Sequence, residues 1–560
     1  MKITSEESAA DQAKLSLRKY AAWGLVAAAV IAHLLIAARS VGPMYVYDEV
    51  GYLAGANIIS GDGAEWSLCG SSYAVGYSAA LAPLWWLPVV PVTVYQFAAL
   101  FSAALGALAI WPATALAKQF GAKGGVALAI GALVTLVPTR ALMDNYVLAE
   151  NPLTLLVLCT ALLALRLARS GRRGDAILMG VTAGLAMAVH GRAVPLVAVT
   201  LAWLLVRAIT KRTPWLDALL GAGAAIVLGV GGIALQNSMG GQIFAEDSRL
   251  EDLVGQLNFD RVGTVLIGQA FSQVLSWALL TVLGLVACVV KARGTFRREG
   301  ARGMSSAWWW LGTMVVAQSL FFVWVLAGSA DFETRFDIPI FGRYLDPFVV
   351  PIAVLGAVTL WSKARSRLTT PALIASITAV VAYAVIVLPR ISPEAVWIRF
   401  AVPGLMPFMS QDGKDSRLGL AITAGLVLAA AVLLWLSRGR AMVGLVGALA
   451  VATALTMGGD ILRVDPYEGE ARAQTVISPF VYANPNIPAA LAADLLPCLE
   501  RNKLQMELAG AVDIVPTGED YGDGLIIGPT NWPAAEDAGL KKFRYLTWLD
   551  ASVWAKINEN

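Results

Sequence analysis

The sequence predicts an all-α polytopic membrane protein of about thirteen transmembrane helices with a small extracytoplasmic C-terminal α/β domain. Three observations lead there. Of 560 residues, 58% are hydrophobic and 14% charged, with mean hydropathy +0.66. A soluble chain carries about 25% charged residues, so the bilayer is the solvent here. Apolar runs of spanning length recur from residue 20 to residue 458, and Lys and Arg gather in alternate segments between them.

A helix crosses the hydrocarbon core with roughly 17–25 mostly apolar residues. Such runs stand at 20–38, 93–117, 124–139, 151–168, 175–189, 193–209, 216–235, 265–290, 306–328, 346–362, 371–389, 418–436 and 441–458. The stretch 74–91 is also apolar, but it carries Pro83, Pro88 and Pro91. It is predicted to lie at the interface or dip in without spanning. Residues 1–19 are polar, and the run after them is long enough to stay as an anchor, so no cleaved leader is expected.

Lys118, Lys123, Arg172, Arg173, Lys211, Arg212, Lys291 and Arg293 all fall on one side when the spans alternate. The positive-inside rule makes that side the cytoplasm. Residues 1–19 are then cytoplasmic, 20–458 form the membrane domain with a first outer loop at 39–92, and 459–560 lie outside. This tail has soluble composition, and Gly524–Gly528 and Phe543–Trp548 read as short strands.

Cys159 and Cys288 fall inside predicted spans as small core residues. Cys69 and Cys498 both fall outside, where oxidation is permitted. They either join the first outer loop to the tail or are unrelated thiols too far apart to bridge.

Four outer segments carry residues suited to chemistry. Met44–Tyr52 places Asp48 and Glu49 among aromatic residues just past the first span. A carboxylate there can act as a general base on a hydroxyl, or it can favour a helix N-terminus. Met143–Pro152 carries Asp144 and Glu150 between two spans, which a turn and helix cap would also explain. His190-Gly191-Arg192 sits at an outer junction. A histidine at a helix end commonly serves structure, but a cation at membrane depth needs an anionic partner, and phosphate is a natural one. Phe341–Pro347 sets Arg343 beside Tyr344 at the outer end of a span, suited to a lipid-linked phosphate or to an aromatic belt.

The sequence has no P-loop, no dinucleotide fingerprint after a strand and no Cys/His metal cluster. Nucleotide chemistry and nucleic-acid binding are therefore not expected. No cofactor is indicated, although the outer acidic residues could hold a divalent cation.

In order along the chain, YDEVGY (Tyr47–Tyr52), Gly76-Tyr77, YVLAENP (Tyr146–Pro152), GLAMAVHGR (Gly184–Arg192) and GRYLDP (Gly342–Pro347) resemble the GT-C superfamily of polytopic glycosyltransferases. That group includes protein O-mannosyltransferases, lipid A aminoarabinose transferases and mycobacterial arabinosyl- and mannosyltransferases. The likeness covers roughly residues 20–360. It implies an inverting transfer of a sugar from a polyprenyl-phosphate donor to an envelope glycan, lipid or protein acceptor, on the outer face of a bacterial inner membrane. Asp48 matches the catalytic base, Glu49 its neighbour shaping the acceptor site, and Glu150 the second acidic position, with Asp144 a looser counterpart. Arg343 and Arg192, with His190 and Tyr344 beside them, are candidates to hold donor phosphate. In the tail, Trp532, Tyr545, Trp548 and Trp554 are candidate stacking surfaces for sugar rings. Two other readings compete: a transporter or flippase for a lipid-linked or small polar substrate, and a non-catalytic envelope scaffold. A transporter would be expected to show inverted repeats and Gly/Pro-broken helices near the midplane; the sequence shows no repeat, and its candidate carboxylates lie at the outer rim instead of mid-membrane.

Overall fold

The computed structural model describes residues 5–61, 63–70, 73–243, 258–277, 279–299, 304–329, 332, 334–362, 365–391, 398–405, 474–475, 477–515, 524–546 and 550–556. The predicted spans 418–436 and 441–458 lie outside the described residues.

Among the described residues, seven helices are long and apolar enough to cross a membrane, and three bent pairs raise the number to ten when each counts once. The unbroken spans begin with the apolar part of α1 (Ser5–Ala38) and the continuous pair α4 (Pro91–Leu108) and α5 (Ile110–Phe120). After the short α2 (Val46–Ser60) and α3 (Val75–Leu81) come α6 (Gly124–Thr135) and α7 (Pro138–Ala141). The next helices are α8 (Glu150–Ser170), α9 (Arg173–Val189), α10 (Val194–Ile209) and α11 (Trp215–Ile243). At 17 residues, α9 sits at the lower limit for a span. Then follow α12 (Phe259–Ser276), α13 (Leu280–Glu299), α14 (Ser305–Ala327), α15 (Asp346–Trp361) and α16 (Arg365–Ala382).

The 74–91 stretch folds as expected. Seven residues of α3 and a 3-10 turn, Ala82–Trp86, are too short to cross, and Tyr77 is fully buried. The run 265–290 does not fold as one span. It breaks between α12 and α13 with a bend of 104°. Leu279 adopts φ 70° at the corner, and the buried Trp277 donates its indole N–H to Asp346 Oδ1 at 3.1 Å. Hydropathy could not show this corner, because the apolar run continues through it.

Close backbone approach holds the bundle together, as expected where lipid removes the hydrophobic drive between helices. A Cβ on Gly180 of α9 would lie 1.8 Å from the Gly221 carbonyl oxygen of α11, and one on Gly184 would lie 2.7 Å from that of Ala225. The α13–α15 contact repeats the device: Cβ atoms on Gly284 and Gly356 would each lie 2.0 Å from a facing carbonyl oxygen. Only the missing side chains allow these helices to touch.

The C-terminal region is α/β, as the sequence predicts. Strands β1 (Ala489–Leu491), β2 (Asp513–Ile514), β3 (Leu525–Pro529), β4 (Leu540–Leu546) and β5 (Ala551–Lys556) form a sheet of order β2-β1-β3-β5-β4. β1 runs parallel to β2 and β3, whereas β5 runs antiparallel to β3 and β4. Helices α17 (Ile477–Ala483), α18 (Cys498–Leu508) and α19 (Pro533–Asp537) accompany it. Trp532 and Trp554 pack edge to face at 6.1 Å inside this core, 6% and 0% exposed. They stabilise the fold and present no face to a sugar, which corrects the expectation for both. Trp548 and the side chain of Tyr545 lie outside the described residues.

Cys69 and Cys498 are joined in a disulfide, with Cα atoms 5.5 Å apart. Side chains of α18 extend the join. Asn502 accepts from the Cys69 backbone N–H at 2.9 Å and donates to its carbonyl at 3.0 Å. Gln505 treats Ser67 in the same way, at 2.7 Å in both directions, and Arg501 donates to the Ser67 carbonyl and hydroxyl. The helix thus supplies a short segment of the first loop with the hydrogen bonds a neighbouring strand would give.

Candidate active site

Asp48 lies in the first turn of α2, where free backbone N–H groups favour a carboxylate. Its Oδ2 accepts from Arg343 NH2 at 2.9 Å, and its Oδ1 from the Tyr73 hydroxyl at 2.6 Å. Burial pushes its pKa up, but Arg343, the Tyr73 hydrogen bond and Arg192 outweigh burial and hold the carboxyl below its ordinary value. The side chain is 19% exposed, enough for an incoming group to reach it.

Arg343 links this carboxylate to a second one. Its Nε lies 2.5 Å from Glu150 Oε1, and both side chains are nearly fully buried. Arg192 completes the group with NH1 3.3 Å from the same Glu150 oxygen, and it keeps 15% exposure. Two carboxylates and two guanidiniums therefore balance in one cluster, as burial at this depth demands. Aromatic rings carry the cations: Arg192 lies 3.4 Å over Tyr344, and Arg343 lies 4.4 Å over Phe400. Phe400 in turn packs against Tyr45 with ring centroids 3.5 Å apart and the planes tilted by 30°.

The structure divides the sequence-predicted residues. Asp48, Glu150, Arg192, Arg343 and Tyr344 come together. Glu49 does not join them. It is 0% exposed, and its oxygens accept from the backbone N–H groups of Met44, Tyr45 and Val147 and from the Tyr95 hydroxyl, at 2.7–2.9 Å. With four donors satisfied, it pins the first loop to the 142–147 turn and has no face left to shape an acceptor site.

Asp144 is likewise elsewhere. His33 Nδ1 donates to its Oδ2 at 2.5 Å and Asn151 to its Oδ1 at 2.8 Å, inside the packing of α1, α4 and α8. It is no second acid beside Glu150. His190 Nδ1 accepts the Arg192 backbone N–H at 3.2 Å, and Gln318 donates to the Arg192 carbonyl at 2.7 Å. His190 thus shapes the turn that presents Arg192 and lies outside the charge cluster. Among the described residues, no three His, Cys, Asp or Glu side chains gather to hold a metal ion.

Sequence reasoning missed Tyr73, Phe400 and Arg140. Arg140 is 3% exposed and donates through NH2 to the Glu150 carbonyl at 3.1 Å and to Asn151 Oδ1 at 2.9 Å, fixing the start of α8. A lone basic residue inside an apolar segment was the available signal for Arg140. Nothing local singles out Tyr73 or Phe400, because only the fold brings them to the cluster.

No family model and no curated protein matches the sequence. Solved structures do. The chain is similar to ArnT from Cupriavidus metallidurans bound to undecaprenyl phosphate, with TM-score 0.55 and 15% identity over 96% of this chain and 98% of that one. The apo state of ArnT gives TM-score 0.52 and 14% identity over 95% and 97%. An oligosaccharyltransferase from Archaeoglobus fulgidus gives a lower TM-score, 0.41, at 11% identity over 96% of this chain and 74% of that one. The likeness to ArnT along nearly its whole length shows the architecture that the order of motifs leads one to expect: the chain has the GT-C fold.

Proposed function

We propose that the protein is an inverting glycosyltransferase that moves a sugar from a polyprenyl-phosphate donor to an envelope glycan, lipid or protein on the outer face of the membrane. One observation carries this reading. Asp48, a partly exposed carboxylate, stands against the Arg343–Glu150–Arg192 cluster. A general base and a pair of cations for a departing phosphate are then side by side. The GT-C fold, and the undecaprenyl phosphate bound in the ArnT structure, support the same reading. The Cys69–Cys498 disulfide supports placement of the first loop and the tail outside the cytoplasm.

In this mechanism the acceptor hydroxyl gives its proton to Asp48 as its oxygen forms a bond to the anomeric carbon. The bond from that carbon to the phosphate oxygen breaks, its electron pair leaves with the polyprenyl phosphate, and configuration inverts. Arg192 and Arg343 offset charge growing on the phosphate oxygens. Glu150 keeps both guanidiniums in place before the phosphate arrives.

The test uses the full chain in lipid, a panel of undecaprenyl-phosphate-linked sugars and a crude envelope acceptor. Release of undecaprenyl phosphate by the wild type and not by Asp48→Asn is the expected result. Equal release by both would remove Asp48 as the base and overturn the mechanism.

A further inference from the structure

The Tyr73 hydroxyl donates to Asp48 Oδ1 at 2.6 Å, on the oxygen that Arg343 does not hold. Its ring lies 4.9 Å from that of Tyr52, one turn after Asp48 on α2, and Tyr52 packs in turn at 5.1 Å on Tyr77 of α3. Tyr73 is therefore fixed at both ends, by its ring and by its hydroxyl. Four residues before it stands Cys69, the end of the Ser67–Cys69 segment that α18 clasps through the disulfide, Arg501, Asn502 and Gln505. From this arrangement we infer that Tyr73 is a positioning residue for Asp48, and that the clasp by α18 on Ser67–Cys69, four residues before it in the chain, helps to anchor it. The C-terminal region would then help to set the base's geometry.

Physical chemistry supports the assignment. A carboxylate with one partner can swing about χ1 and χ2; one with a donor on each oxygen has a single orientation. Here Arg343 fixes Oδ2 and Tyr73 fixes Oδ1, so the free lone pairs keep one direction. The charged and titratable groups around Asp48 are the Arg343 and Arg192 guanidiniums, the Tyr73 and Tyr52 hydroxyls and, beyond Arg343, Glu150. The adjacent Glu49 turns its oxygens to other donors. Of the two donors that hydrogen-bond the Asp48 carboxylate, Tyr73 is the neutral one, and its removal by Tyr73→Phe keeps the ring packing on Tyr52.

The role of Tyr73 rests on Asp48 being the base of the proposed transfer, but its test does not need a substrate. The full chain in lipid nanodiscs is titrated by infrared spectroscopy, and the carboxyl band missing from Asp48→Asn marks Asp48. In Tyr73→Phe the midpoint of that band is expected to rise by about one pH unit, since a hydrogen bond to the charged form is lost. The double variant Cys69→Ala/Cys498→Ala, which removes the covalent part of the clasp and leaves its hydrogen bonds, is expected to shift it the same way by less. Turnover with any active donor should fall about tenfold in Tyr73→Phe. An unchanged Asp48 titration in Tyr73→Phe would overturn the positioning role. A shift there with none in the double variant, nor in Arg501→Ala/Gln505→Ala combined with it, would overturn the anchoring by α18. Undiminished turnover in Asp48→Asn would instead overturn the proposed reaction, with the titration standing apart from it.

Discussion

Arg343 NH2 lies 2.9 Å from Asp48 Oδ2, across 295 positions of sequence. The contact ties the 3-10 turn before α15 to the first turn of α2, and with Glu150 it makes one buried cluster from three separate segments.

Asp48→Asn keeps the shape of the side chain and loses the base. Transfer is expected to fall by about a hundredfold to ten-thousandfold, the usual share of general-base catalysis. Thermal stability in lipid should fall only modestly, well short of the loss in Arg343→Ala, because Arg343 loses one carboxylate and keeps Glu150. A fall in unfolding temperature matching the loss of activity would point to a structural role instead.

Arg343→Ala leaves the buried Glu150 carboxylate with Arg192 as its ion-pair partner and removes one partner of Asp48. Breaking a buried pair on one side costs about 3–5 kcal/mol, so a marked drop in unfolding temperature is expected. Arg343→Lys keeps the charge but cannot span both carboxylates with a planar fork. It should fold better than the alanine variant and still bind undecaprenyl phosphate more weakly than wild type, as a binding titration would show.

Glu49→Ala removes the acceptor of three backbone N–H groups and the Tyr95 hydroxyl, the Val147 and Tyr95 bonds being fully buried. Each buried unsatisfied donor costs about 1–3 kcal/mol, so the expected result is poor folding. Whatever fraction folds should retain turnover far above that of Asp48→Asn. Active-site titration of folded protein separates the two effects, and a fully folded but inactive Glu49→Ala would return this residue to the chemistry.

Asp48 is held below its ordinary pKa, chiefly by Arg343 against the opposing effect of burial. The reactive form is the carboxylate, so kcat/KM should stay flat as pH falls toward the usual carboxylate range near about 4 and decline only below it. Stability follows the same sign: the contribution of this pair is present above the unfolded pKa and is lost as pH falls through the lower folded value. In Arg343→Gln the acidic limb should move to higher pH. A limb that does not move would mean another group controls it.

Reduction of Cys69–Cys498 should loosen the C-terminal region without unfolding the helix bundle. The clasp of Arg501, Asn502 and Gln505 remains, so faster proteolysis within the C-terminal region is expected, with the bundle protected. Proteolysis unchanged by reduction would show that the hydrogen bonds alone suffice.

The sequence by itself determined the solvent of this protein and the order of its parts. Apolar length, the charge pattern and the proline-bearing stretch at 74–91 are local properties, and a helix in lipid must satisfy its backbone within itself. The soluble strands near Gly524–Gly528 and Phe543–Trp548 were legible for the same local reason, appearing as β3 and β4. The fold decided what no local pattern carries. Asp48 and Glu49 are adjacent and chemically alike, yet a turn of α2 sends one to Arg343 and the other to four donors. Asp144 and Glu150 share one short segment and part in the same way, one to His33 and one to Arg343. Helical rotation of about 100° per residue sets neighbouring side chains on different faces. Whether each face meets a guanidinium or backbone N–H groups depends on chain brought there from hundreds of residues away.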